Sequence, residues 1–182
     1  MSSWGATDAN EAKPKWLTAV QKTDTFADSR GWVYRDPNTG LEEVLVAIGQ
    51  LSAAAKLNIA DVTAVNFTTT SFSEAAGGNI DIAVSFNEKI TVTGSPTITV
   101  TNDQAGSGTD ATFTATYQSG SGRNKLTFRA TYAAANGGVA EDDVLSIADQ
   151  NIALAGGTLV DGEAVNAAVA IAGVTSTLTI SA

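Results

Sequence analysis

The sequence contains neither cysteine nor histidine. Without cysteine there are no disulfides and no thiolate metal sites, and folding needs no oxidising compartment. Without histidine, the commonest general base and the commonest metal ligand are both missing. Basic residues are scarce as well: ten Lys and Arg stand against nineteen Asp and Glu, a net charge of −9. Such a surface repels a phosphate backbone, which argues against nucleic acid as a partner. No stretch reaches the roughly 18 apolar residues of a membrane span. Met1 is followed by Ser-Ser-Trp-Gly rather than a basic and then apolar run, so no signal peptide is visible and a soluble, cytoplasmically made product is expected.

What remains suits a β protein. Of 182 residues, 43% are hydrophobic and only 16% charged, enough to bury a core. Thr, Ala, Gly and Val dominate, the composition of strands joined by tight turns. The charge is uneven along the chain. Residues 1–60 hold seven acidic and six basic groups, whereas residues 61–182 hold twelve and four. The front end is therefore the part suited to close contact with another surface, and the rest reads as a solvated, self-repelling exterior.

Residues 1–30 are mixed and turn-rich, and Pro14 disfavours a helix running through it. Trp4, Trp16 and Phe26 are large apolar groups in this polar stretch, either plugging a small local core or, for a tryptophan, anchoring in a partner's pocket. In "GWVYRDPNTGLEEVLVAIG", Trp32–Arg35 and Val44–Ile48 flank strong turn chemistry at Asp36–Gly40, which specifies a β-hairpin. A helix over Leu41–Leu51 competes, because Leu41, Leu45 and Ile48 have helical spacing. A short helical turn is expected at Ser52–Lys56, with a module boundary near residue 60.

From Asp61 onward the chain is strand after strand. Val65, Phe67 and Phe72 are expected inward. In "GGNIDIAVSFNEKITVTGSPTITV", Ile80, Ile82, Val84 and Phe86 share one face and Asp81, Ala83, Ser85 and Asn87 the other. Ile90 and Val92 continue to a bend at Gly94-Ser95-Pro96, and Ile98 and Val100 face in beyond it. "ATFTATY" and "KLTFRATY" flank "QSGSGRN" as a hairpin with a long loop, two short strands follow, and "STLTISA" closes the chain. Seven or eight short strands with one apolar face each predict a two-sheet sandwich, with a closed barrel as second choice.

Reactive constellations are weak. Asp142, Asp143, Asp149, Asp161 and Glu163 could gather around calcium, yet none has EF-hand spacing and solvated acidic turns are the ordinary outcome. Glu42 and Glu43 are neighbours on a strand and point to opposite faces, a poor hydrolytic pair. No Gly-x-Ser-x-Gly or Ser-x-x-Lys motif occurs, and "GSGRN" lacks the ending of a phosphate loop. Arg123, Lys125 and Arg129 are the one basic cluster of the acidic half, with Lys125 and Arg129 expected on an outer face as protection against edge pairing. No catalytic residue, cofactor or metal is expected, and an enzyme is the least supported class.

Two stretches resemble known families. "IDIAVSFNEKITVTGSPTITV", "ATYQSGSGRNKLTFRATY" and "VLSIADQNIALAGGTLVD" resemble the bacterial immunoglobulin-like domains of surface proteins, although "NGGVAEDD" replaces the usual Gly-Asp and Asp-Gly after the Leu-Thr-Phe strand. "SSWGATDANEAKPKWL", with "GWVYRD" and "EEVLVAIG" after it, resembles the start of virion structural proteins from large tailed phages of marine cyanobacteria. The second resemblance implies a head decoration protein: residues 1–60 docking on the major capsid protein lattice beside neighbouring copies, and residues 61–182 projecting from the capsid exterior as an immunoglobulin-like β-sandwich. Trp4, Trp16 and Trp32 are then the candidate partner contacts, with a local core as the competing role for Trp32. A tail, neck or fibre position and an adhesive module for host surface glycans are the alternatives, the latter with only Tyr117 and Tyr132 as candidate sugar platforms.

Overall fold

A computed structural model describes residues 13–28, 30–47, 59–103, 111–132, 139–161, 166–171 and 176–181. The protein is all-β and β-sandwich-like, with a single short helix among the described residues. That helix, α1 (Ala19–Thr23), starts where Thr18 and Gln21 satisfy each other: Gln21 N–H donates to Thr18 Oγ1 and Thr18 N–H to Gln21 Oε1. Three strands follow: β1 (Thr25–Asp28), β2 (Gly31–Arg35) and β3 (Glu42–Ala47). They form an antiparallel meander in which β2 and β3 are the expected hairpin, and over Glu42–Ala47 the strand reading prevails over the helical one. At the start of β2, a Cβ on Gly31 (φ +129°) would lie 1.9 Å from the Val46 carbonyl oxygen, so only glycine fits. The Ser52–Lys56 turn lies outside the described residues.

The larger part is built on β5 (Gly78–Thr93), sixteen residues long. β4 (Val62–Phe67) and β8 (Arg123–Tyr132) flank its first half, and β7 (Ala111–Ser119) extends the sheet beyond β8. β6 (Thr97–Asn102) pairs with β7 and with β9 (Val144–Ile147), and β9 pairs with β13 (Ser176–Thr179). All these ladders are antiparallel. Relabelled A to G along the chain, β4-β5-β8-β7 is A-B-E-D and β13-β9-β6 is G-F-C, the strand order of an immunoglobulin sandwich.

The β6–β7 ladder makes the two layers one continuous sheet that rolls until β13 lies beside β4, where Phe67 N–H donates to Ser176 Oγ at 3.1 Å. Three short strands between F and G raise the count from the expected seven or eight to ten among the described residues. β11 (Thr158–Val160) pairs with the far end of β5, and β10 (Gln150–Asn151) pairs with β12 (Ala170–Ile171). The loop "QSGSGRN" shrinks to Gly120-Ser121-Gly122, because strand pairing continues to Ser119 and resumes at Arg123.

Alternation delivers the core as the sequence implies. Ile80, Ile82, Val84, Phe86, Ile98, Val100, Leu126, Phe128, Leu145 and Ile147 are buried in one cluster spanning Ala60 to Ile180. The other face of β5 departs from expectation: Ala83, Ser85 and Asn87 are buried too. The reason is a break in register. From Ser85–Lys125 to Ile90–Arg123, β5 advances five residues while β8 retreats two, so Phe86–Lys89 leave that ladder. β1 fills the opening, pairing in parallel at Ala27–Glu88, and α1 lies against β5 nearby. Asn87 is satisfied by Asp61, accepting from its N–H at 2.8 Å and donating its own N–H to the Asp61 carbonyl at 3.1 Å.

Candidate functional site

The stretch from α1 to β3 is fastened to the sandwich by polar contacts. Asn124 Nδ2 donates to the Thr23 carbonyl at 3.2 Å, and the Lys125 ammonium pairs with Asp24. Lys89 on β5 reaches Glu42 at 3.4 Å and Asp28 at 3.9 Å, and Arg30 bridges both carboxylates at 2.6 Å. Burial opposes ionisation of Asp28, yet hydrogen bonds from Arg30 and the charges of Arg30 and Lys89 hold its carboxyl below the ordinary range. Arg30 does the same for Glu42, with burial again opposing. Lys89 also stands 4.8 Å above the Phe26 ring.

Lys13 is the internal anchor. Its ammonium, 1% exposed, donates to the Lys22 carbonyl at 2.6 Å. Burial, reinforced by the charge of Lys22 and opposed by Asp24, lowers its pKa to about 8. The turn between Lys13 and α1 is thereby pinned, and Trp16 stands on it.

The three candidate tryptophans have different fates. Trp16 is 70% exposed. Trp32 is 2% exposed, buried along with Phe26 and Val33 apart from the main cluster, so it takes the local-core role and offers no surface to a partner. Trp4 lies outside the described residues, as does most of the segment carrying the phage resemblance.

Trp16 has company. Val20 on α1, Leu41 and Val44 beside or on β3, and Ile59 are exposed as well, and every exposed large hydrophobic among the described residues falls between 16 and 59. Next to Val20 a groove of about 570 Å³ runs between α1 (Ala19, Val20, Lys22, Thr23) and β4 (Thr63, Ala64, Asn66). β3, carrying Val44, is the last strand in the sheet order.

The basic and acidic clusters flagged in the sequence resolve differently. Arg129 forms a two-pronged pair with Asp81 on the adjacent strand at 2.6 and 2.7 Å, and β8 is an interior strand, so these cations guard no sheet edge. Lys125 is turned to Asp24, leaving Arg123 exposed with no ion pair among the described residues. Asp143 is buried, accepting from Asn102 Nδ2 at 2.7 Å and Ala140 N–H at 2.8 Å, which makes it a structural carboxylate. No group of three or more acidic side chains among the described residues is placed to hold a metal, and Glu163 lies outside them. Glu42 is taken up by Arg30 and Lys89. No helix among the described residues is long and apolar enough to cross a membrane.

A second concavity, a cleft of about 480 Å³, was not legible in the sequence. The turn after β2 (Asp36, Pro37, Gly40) forms one wall and the β7–β8 turn (Ser119–Ser121, Arg123) the other, with Asp24, Asn124 and Lys125 also lining it. Gly120 (φ +112°) is obligatory there, since a Cβ would meet the Lys125 carbonyl oxygen at 2.3 Å.

No known protein family matches the chain, and no curated protein and no solved structure matches it.

Proposed function

We propose that the protein is a non-enzymatic virion component of the head-decoration type, in which the part before residue 60 docks on the capsid protein lattice and the β-sandwich projects from it. One observation carries the reading: the exposed large hydrophobics Trp16, Val20, Leu41, Val44 and Ile59 all belong to the first sixty residues. Exposed apolar side chains gathered in one segment of an otherwise polar chain mark that segment as the one suited to contact. An exposed tryptophan is the kind of side chain that dominates an interface, and full burial of one contributes about 2–3 kcal/mol.

The lattice as the partner comes from the sequence resemblance, and the charge agrees with it. The docking part is nearly neutral, whereas the acidic sandwich would keep neighbouring projections apart. Many copies on a symmetric shell turn modest single contacts into firm occupancy.

Mixing the full chain with undecorated heads of a tailed cyanophage and sedimenting the particles tests the proposal. Wild-type protein should travel with the heads, and Trp16→Ala and Val20→Ser should each reduce occupancy with an unchanged melting temperature. Co-sedimentation equal to wild type in both variants would refute the docking face.

A further inference from the structure

The cleft between the two turns has a composition that the rest of the molecule lacks. Arg35, Arg123 and Lys125 face Asp24 and Asp36 there, so a protein of net charge −9 carries a cleft with one more cation than anions. Both carboxylates are already committed in part. Asp24 holds Lys125. Asp36 accepts the N–H groups of Asn38 and Thr39 through Oδ1, and these bonds, with one from the Thr39 side chain, hold its carboxyl below the ordinary range. The guanidiniums are less engaged: Arg35 stands 3.8 Å from Glu42, and Arg123 has no ion pair among the described residues. Such forks suit a carboxylate or sulfate.

The remaining lining is Ser119, Ser121, Asn124 and Thr127, with Pro37 the one apolar ring and no aromatic side chain. A peptide would find little to bury against these walls. Vicinal hydroxyls would find donors and acceptors in alternation, in a space within the roughly 300–1,000 Å³ of small-ligand sites.

We propose that this cleft binds an acidic saccharide, with Arg123 and Arg35 on its anionic group and Asp36 and the Ser and Thr hydroxyls on its ring hydroxyls. Its lining shares no residue with the groove at Val20, and the proposal does not depend on the docking role.

The test is titration calorimetry on the full chain at low salt, with tetragalacturonate as probe, maltotetraose as its neutral counterpart, and inorganic sulfate and an Asp-rich peptide as anions of other kinds. The expected result is binding of tetragalacturonate alone, weakened about tenfold or more by Arg123→Ala. Lys15→Ala, which removes the same charge from an exposed site outside the cleft, should weaken it less than about twofold. Absence of tetragalacturonate binding at millimolar concentration would overturn the proposal. So would equal losses in the two variants, which would indicate the overall field. Equal affinity for maltotetraose, sulfate or the peptide would overturn it too, because the cleft would then not select an anionic sugar.

Discussion

The two parts of the molecule handle apolar side chains in opposite ways. Among the described residues the sandwich leaves no large apolar side chain exposed: β5, β6, β8 and β9 supply Ile80, Ile82, Val84, Phe86, Ile98, Val100, Leu126, Phe128, Leu145 and Ile147 to one cluster. The N-terminal part buries Phe26, Trp32 and Val33 but leaves Trp16, Val20, Leu41 and Val44 in solvent. Both parts share one sheet through β1 and β5, so the contrast does not come from a difference in fold class. On the docking proposal, it lies in what the surfaces are for. A projecting body in water has no use for exposed apolar groups, whereas a surface that meets a partner needs them.

Breaking the sandwich should have the largest effect. Phe128 is fully buried and lies edge-on to Tyr117, with ring centres 6.1 Å apart. Phe128→Ala should lower stability by about 3–5 kcal/mol in a urea melt, taking the N-terminal part with it because β1 leans on β5. Gly31→Ala strikes the other side of the comparison. Its Cβ would collide with backbone of β3, so the β2–β3 hairpin must part, at about 2–3 kcal/mol. Amide exchange should then quicken in β2 and β3 while the protection of β8 holds.

Lys13 offers a pH handle on the same part. Its pKa falls from 10.5 to about 8 on folding, so its charged form is disfavoured in the fold. Between those values the unfolded chain binds more protons, and stability rises with pH across that window and is level above it. Lys13→Met should abolish the rise and stabilise the protein at neutral pH by about 1–2 kcal/mol in a thermal melt. The Arg30 network should contribute less. Asp28 and Glu42 have depressed pKa values, so their contribution is present above the ordinary carboxylate range and fades as pH falls through it. Arg30→Ala should remove about 1 kcal/mol at pH 7, and the loss should shrink progressively as pH falls below the ordinary carboxylate range.

Much of the fold was legible because it is written in short-range patterns. Alternation from Ile80 to Val100 placed the core, and Asp-Pro-Asn-Thr-Gly placed the β2–β3 turn. The start of α1 was legible too, in the Thr18-x-x-Gln21 capping box, and was missed because five residues carry too little hydrophobic period to draw notice. The parallel seat of β1 against Glu88 had no local signal. It depends on a register break whose purpose appears only when residues 27 and 88 meet. For the same reason Ser85 and Asn87 read as solvent-facing polar residues although the N-terminal part covers them. Of the tryptophans, the neighbours in sequence could separate Trp32 from Trp16: the first sits inside an apolar strand, the second in a polar turn. The cleft proposed for a saccharide was invisible because its Arg35 and Arg123 come from strand ends far apart in the chain.

The most direct test of the docking account is the occupancy of undecorated phage heads by wild-type and Trp16→Ala protein, read by particle imaging beside the melting curve of each. The account predicts full decoration by the first, sparse decoration by the second, and melting curves that overlay, since Trp16 touches solvent rather than core. Bare heads with wild-type protein, or equal decoration by both, would contradict it.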